Sequence, residues 1–507
     1  MKKHNSLLGA ALAVSLLVLL GKLLGFGREA LIAAYFGASA ETDAFFFAQG
    51  MPSMIFPAVG SSLAFAFTSL YVKRMSEEGE QRGDHFASRV LLTVTLLGLA
   101  LGMLGVLFAP VIVPLFAPGF KGSQLELAVR LTRLTMGAFV LTLLQYILGA
   151  ILNSRKLFTV TQIAGLLYNI AIIAVTALLG RGQSMEVLTL IVVFGMVFQV
   201  AGLVVGCQRH FCGTLRDISP IHPEIAQLLR LALPILLGNS VVQLNNIVDK
   251  ALGSTLDSGS LSALSYANSL NIMVIDVFVI SLSTVLFPTL TADAARGDME
   301  RYEIILRQSL SGMTMLLVPI SCITFLDAAE IVKVVFARGS FDQTAVSLTA
   351  LVLACYAPRF VFASIREVLS RAFFAIQDTR TPMIAGGVGV GCNVLFSVVF
   401  VRWLGLAGIA LGTVVSVFVI AVLLLRSVHL KMPVLHLSSF FRSLGKQLLA
   451  GAVLVAVLLV FKKTVSISSP LFQFIADSVV GFGIYLMALL PLSFAELHGI
   501  LGQFRKK

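Results

Sequence analysis

Apolar runs long enough to cross a bilayer recur from residue 7 to residue 497 of this 507-residue chain, separated by short charged loops. In hydrocarbon every backbone N–H and C=O must be satisfied within the chain, which leaves only helices or closed barrels. The runs are continuous rather than alternating in polarity, so they read as helices. Charged residues make up 12% of the chain and hydrophobic residues 58%, and the mean hydropathy is +0.96. Soluble domains carry about 25% charged residues. The chain is therefore expected to be an all-α polytopic membrane protein.

At about 20 residues per span the pattern predicts about fourteen helices, near 7–36, 43–72, 87–116, 126–153, 157–180, 185–210, 224–254, 262–292, 304–326, 344–376, 382–403, 406–428, 439–461 and 470–497. The first of these imitates a signal peptide, but no small-x-small cleavage site precedes Lys22 and Arg28, so it is retained as a helix. Loop cations test the count. Lys2, Lys3, Lys73, Arg74, Arg155, Lys156, Arg209, Arg296, Arg380, Arg426, Arg442 and the terminal Arg505 to Lys507 fall on one side, and fewer fall on the other. The positive-inside rule then puts both termini in the cytoplasm of a multi-pass inner-membrane protein. The stretch from Arg296 to Glu303 reads as a short interfacial helix between the eighth and ninth spans.

The net charge of +12 is spread over these loops rather than gathered on one face, which argues against nucleic acid. Five cysteines, among them Cys207 and Cys212 flanking a cytoplasmic loop, imply neither a disulfide framework nor a metal site. No P-loop is present, and the Gly386 to Gly391 glycine run lies inside a span, where small residues serve helix packing. A transporter is expected, not an enzyme.

An internal repeat is visible. Ala44 to Met51 parallels Ala263 to Leu270, and Asn153, Lys156 and Asn169 parallel Gln377, Arg380 and Asn393 at nearly the same separation. The repeat predicts a six-helix lobe over 1–215, a second over 216–430, and two added helices over 431–507. Six is even, so the lobes would share one orientation about an axis along the membrane normal and face each other across a central cavity.

Charges inside spans are the functional leads, because each costs roughly 2.5 to 3.5 kcal/mol on insertion scales unless hydrated or paired. On a straight helix Lys22 and Arg28 lie about 9 Å apart along the axis and about 120° apart around it. Gly21, Gly25 and Gly27 permit a bend that would turn both toward one cavity. The alternative is that Gly21-xxx-Gly25 is a packing face and that Arg28 neutralises Glu29 or Asp43. The tenth span adds Arg359, Arg366, Glu367 and Arg371, the last placed to snorkel. Asp249, in a patch with Asn245, Asn246 and Lys250, and Asp276 are candidates for cation or proton coupling.

Leu24 to Ala30, Phe36-Gly-Ala, Thr42-Asp43-Ala-Phe-Phe, and Gln377-Asp-Thr-Arg-Thr-Pro382 with Asn393 resemble the MurJ (MviN) lipid II flippases of the multidrug/oligosaccharidyl-lipid/polysaccharide exporter superfamily. That resemblance implies a cationic cavity, a groove for a polyprenyl tail lined by the last two helices, and alternating access. Arg28 matches a cavity arginine of the family, Lys22 stands where another arginine is common, and Asp43 matches the aspartate that opens the second span. Ser53 stands for an asparagine, Glu367 for a lysine, and Phe56 and Ser269 for cavity arginines, whose loss Arg359 and Arg366 would offset.

The substrate expected from this is a lipid-linked oligosaccharide. Lys22, Arg28, Asp43, Ser53, Arg359 and Arg366 would bind it, and Asp249, Asp276 and Glu367 would serve ion coupling. No cofactor is expected beyond a coupling cation, Na+ or H+, or the membrane potential. Membrane lipid and cell-wall synthesis enzymes are the expected partners. The alternatives are a flippase for another polyprenyl-diphosphate glycan and a cation-coupled multidrug antiporter.

Overall fold

The computed structural model describes residues 2–55, 57–208, 222–431, 438–465 and 467–504, with the side chains of 2–12, 53, 55, 57–58, 237–242, 280–285 and 492–504 left aside. Among these residues the regular structure is entirely helical. The first half comprises α1 (Lys2–Phe36), α2 (Ala40–Ile55), α3 (Pro57–Glu77), α4 (Glu80–Phe116), α5 (Gly122–Gly137), α6 (Phe139–Ser154), α7 (Phe158–Leu179), α8 (Met185–Gln208) and α9 (Pro223–Ser254). Then come α10 (Ser260–Val274), a π-helical turn (Ile275–Ile280), α11 (Ser281–Arg296), α12 (Met299–Leu326), α13 (Ala328–Phe336), α14 (Gln343–Tyr356) and α15 (Arg359–Ala375). The chain closes with α16 (Arg380–Leu404), α17 (Leu406–Lys431), α18 (Ser438–Thr464) and α19 (Pro470–Phe504).

Among the described residues, ten helical segments are long and apolar enough to cross a membrane, eleven if the bent pair α14 and α15 is one span. The described side chains of α1 carry Lys22, Arg28 and Glu29, so its apolar signal is diluted. Two expectations need correction. Arg296 to Glu303 is not a separate interfacial helix: Gly297 takes φ 71° and ends α11, and Asp298 accepts from the Arg301 N–H at 3.0 Å to begin α12. The tenth span is two helices crossing at 42°, because Pro358 brings no amide hydrogen to the helix ladder and restricts Ala357 before it.

The chain divides into two compact units, 1–262 with 339–341, and 263–338 with 342–507. In unit 1, α4 carries a stripe of small residues. A Cβ on Gly98 would lie 2.9 Å from Val140 Cα, and one on Gly102 would lie 2.8 Å from the Met136 carbonyl oxygen. The stripe lets the α5–α6 junction approach backbone to backbone, as small residues do where lipid gives no hydrophobic push between helices. Phe67 stacks on Tyr71 and Phe86, with centroids 5.0 and 5.6 Å apart, and Arg155 with Tyr71 closes on Asp84 at one end of this stack. The last carbonyls of α1 are satisfied from elsewhere: the Ser340 N–H donates to Ala34 O at 2.8 Å and its hydroxyl to Tyr35 O at 3.0 Å.

In unit 2, α16 and α17 form a hairpin, closed where Gly408 lies against the Phe400 backbone and Gly412 against Ser397. Within the Gly386 to Gly391 run, Gly389 makes the close approach, to Ile420, and the Ser416 hydroxyl donates to its carbonyl at 2.7 Å. One local motif recurs between the units. Lys156 after α6 and Gln377 after α15 both take positive φ, 64° and 63°. Each is followed by a residue whose N–H reaches five residues back, Leu157 to Leu152 and Asp378 to Phe373, which is the left-handed Schellman close of a helix end.

Candidate functional site

Gly21, Gly25 and Arg28 are spaced four and three residues apart, so they share one face of α1. That face lies on α7: a Cβ on Gly21 would be 3.8 Å from Leu166 Cδ2 and one on Gly25 3.8 Å from Asn169 Oδ1. One turn farther, Arg28 Nη1 donates to Asn169 Oδ1 at 3.2 Å and its guanidinium carbon lies 5.3 Å from the Tyr168 ring centroid. The Asn169 amide nitrogen donates to Gly165 O at 3.3 Å, which turns its oxygen toward the arginine. Arg28 Nη2 is 3.6 Å from Glu29 Oε1, and the side chain is 16% exposed. Arg28 Nε is buried without a hydrogen bond among the described residues. Lys22 lies on another face of α1 and is exposed. The helix runs unbroken through Gly21, Gly25 and Gly27, and Gly27 has open space beside it.

Asp43 is buried in the first turn of α2. Its Oδ2 accepts from the Gly259 N–H at 2.7 Å, and its Oδ1 accepts from the Ser262 N–H at 2.7 Å and the Ser262 hydroxyl at 2.5 Å. The carboxylate thus sits on the first-turn amides of α10, where the helix dipole favours negative charge. The Ser53 side chain and the whole of Phe56 lie outside the described residues.

Sequence reasoning weighed Lys250 only as a member of a polar patch. Its ammonium donates to Phe46 O at 2.7 Å, passing over Gly50, where a Cβ would collide with the nitrogen. Pro52, two residues beyond Gly50, lacks the N–H that would serve Ala48 O, and the Thr135 hydroxyl donates to that carbonyl at 3.1 Å instead. Asp249 is half-buried beside Lys250.

In unit 2, Arg359 opens α15 directly after the bend, its guanidinium carbon 5.9 Å from the Tyr356 ring centroid. Glu367 stands between two arginines: Arg371 Nε donates to its Oε1 at 2.9 Å and Arg366 Nη2 lies 3.9 Å from Oε2. Arg371, read from the sequence as snorkelling, reaches back one turn to form this pair. Asp276 lies in the π-helical turn, half-buried. No group of metal-ligating side chains occurs among the described residues.

A family model described as "Lipid II flippase MurJ" matches residues 32–476. A "Probable lipid II flippase MurJ" of Buchnera aphidicola subsp. Acyrthosiphon pisum is 28% identical over 91% of this chain and 91% of its own length. The "Lipid II flippase MurJ" of Burkholderia cenocepacia is 30% identical over 80% of this chain and 81% of its own. Among solved structures, the inward closed conformation of a lipid II flippase MurJ superposes with a TM-score of 0.80 at 25% identity, covering 94% of this chain and 98% of that one. An inward-facing MATE transporter of the MOP superfamily shares the fold at a TM-score of 0.71 and 17% identity, over 85% of this chain and 99% of its own.

The polytopic helical fold shared with these proteins, with many helices apolar enough to cross a bilayer, defines the chain as an all-α multi-pass membrane protein. Within that class it belongs to the MurJ lipid II flippase family. It is accordingly a multi-pass protein of the inner membrane.

Proposed function

We propose that this chain carries lipid II from the inner to the outer leaflet by alternating access, with Arg28 as an anchor for the diphosphate. The observation that carries this reading is the state of Arg28: half-buried and oriented by Asn169 and Tyr168, with a buried Nε that has no hydrogen-bond partner among the described residues. A guanidinium presents its donors as a planar fork that matches phosphate oxygens, and such charge-assisted bonds are about twice as strong as neutral ones. A diphosphate crossing about 30 Å of hydrocarbon needs a fixed cation of this kind, while the polyprenyl tail stays in lipid.

Lys22, Asp43, Ser53, Arg359 and Arg366 bind the substrate alongside Arg28. Fourteen spans in lobes of 1–215 and 216–430, with 431–507 forming the groove for the tail, complete the reading. Both termini are cytoplasmic, as the loop cations favour. A cation, Na+ or H+, or the membrane potential drives turnover, with Asp249, Asp276 and Glu367 as coupling groups. Cell-wall synthesis enzymes are the partners on either side of the step.

Complementation of a strain depleted of its own lipid II flippase tests this. The wild-type chain should restore growth, and Arg28→Ala at matched membrane level should lower flipping by at least about tenfold, the loss expected when a charge-assisted bond of about 1.5 to 3 kcal/mol is removed. Rescue by Arg28→Ala equal to wild type defeats the assignment of Arg28.

A further inference from the structure

Unit 2 encloses two carboxylates that share a single ammonium. Asp327, between α12 and α13, and Asp477 on α19 are both 0% exposed. Lys462 near the end of α18 forms an ion pair with Asp327 Oδ1, lies 3.8 Å from Asp477 Oδ2 and 3.4 Å from Glu330 Oε2, and donates to Leu326 O at 2.9 Å. Gln473 Nε2 donates to both oxygens of Asp477, at 3.0 and 3.1 Å, and the Ile467 N–H at 2.8 Å holds the Gln473 oxygen. The Lys462 ion pair engages Asp327 Oδ1, and Asp327 Oδ2 accepts no hydrogen bond among the described residues. Although Asp327 precedes α13, its side chain does not cap that helix.

Three acids therefore face one base, and two of the acids have no access to water. The remaining charges nearby do not correct this. Lys463 is exposed, Lys333 on α13 makes no ion pair with the cluster among the described residues, and the next titratable groups inward, Cys322 on α12 and Tyr485 on α19, are uncharged at neutral pH by their ordinary pKa values. The carbonyl end of α12 adds negative potential at Leu326. A metal ion has no place here, because the Lys462 ammonium fills the cation position and the described residues form no metal-ligand group. Two buried like charges side by side cannot both remain ionised cheaply, and the inexpensive remedy is a proton.

We propose that Asp327 is a proton-binding site: buried against the Asp477 carboxylate, it holds a proton at neutral pH, and losing that proton loosens α19 from the α12–α13 junction. Burial holds the Asp327 carboxyl well above the usual carboxylate range, the negative Asp477 adds to that rise, and Lys462 opposes it. Glu330, 23% exposed at the rim, gives the proton a way to solvent. Beyond the cluster, Gly481 presses α19 against Leu458 and Ile323, so the charge of the pair is felt at a tight helix contact. Because the folded pKa lies above the unfolded one, the folded state binds more protons between the two values. Stability falls as pH rises across that window.

Infrared difference spectra of the purified full chain in lipid nanodiscs, titrated from acid to alkaline pH, test the site without reference to any transported substrate. The expected result is a protonated-carboxyl C=O band at pH 6 that disappears on alkaline titration. It should be absent in Asp327→Asn, which removes the proton's site, and in Asp477→Asn, where Asp327 faces the ammonium without a second buried carboxylate and ionises, and kept in Glu330→Gln. No such band in the wild type, a band that persists in both Asn variants, or one lost with Glu330→Gln overturns the proposal. Should an Asn variant fail to fold, Lys462→Met gives an independent reading. Removing the ammonium should move the titration to higher pH, and an unmoved titration also overturns the site.

Discussion

At the scale of single residues, the chemistry of this chain is set by where each buried charge finds its partner. Asp43 is an anion seated on the amides of another helix, with its accepting capacity taken by Gly259 and Ser262. Asp43→Ala leaves those donors buried and unmade, so it should cost about 1 to 3 kcal/mol, read as a lower melting temperature of the purified protein. Asp43→Asn, which keeps one acceptor oxygen, should lose less. Arg28 stands out in the sequence, because a guanidinium inside an apolar run demands a reason. Its partner Asn169 was not, since 141 residues separate the two and only the packing of α1 on α7 brings them together. Lys250 was hidden for a different reason: its acceptor is the main-chain carbonyl of Phe46, which no side-chain pattern marks. The Glu367–Arg371 pair, by contrast, has the i,i+4 spacing of a helix ion pair and needed no tertiary knowledge.

At the scale of elements, helix ends and breaks are the informative places. Asp378 ends one element and starts the next: its carboxylate accepts from the Thr381 N–H at 3.0 Å and hydroxyl at 2.7 Å, and Lys431 at the far end of α17 donates to it at 2.7 Å. The Lys431 hydrogen bond, followed by that of Thr381, holds the Asp378 carboxyl down at about 2. Its unfolded value is about 3.9. With the folded pKa depressed, the contribution of this cap is present above the unfolded value and is lost as pH falls toward the folded one. Melting temperature should therefore drop between pH 5 and pH 3, and Lys431→Met should flatten part of that drop; an identical slope in the variant sinks the explanation. The Asp-Thr-x-Thr-Pro stretch is legible in the sequence only as part of a family resemblance, and the lysine that tunes Asp378 arrives from 53 residues away. The same contrast holds at Pro358, where the proline is plain to read and the 42° angle it leaves depends on how α14 and α15 pack.

At the scale of the whole molecule, the pattern of loop cations predicts a single chain orientation, with both termini cytoplasmic. A cysteine placed at either terminus, in a background freed of Cys207, Cys212, Cys322, Cys355 and Cys392, should react with a membrane-impermeant maleimide only after the cells are lysed. Labelling of intact cells would reverse the topology. By itself the sequence determined the solvent, the all-helical class and the family, because hydropathy and short motifs are local properties that survive without any knowledge of contacts. The tertiary structure alone decided that Arg28 is aimed by Asn169, that Asp43 rests on α10, and that Asp327 at the α12–α13 junction, Lys462 on α18 and Asp477 on α19 converge. Each of these depends on which helix faces which, and in lipid that choice rests on small-residue approach and the pairing of distant polar groups, neither of which leaves a periodic trace along the chain.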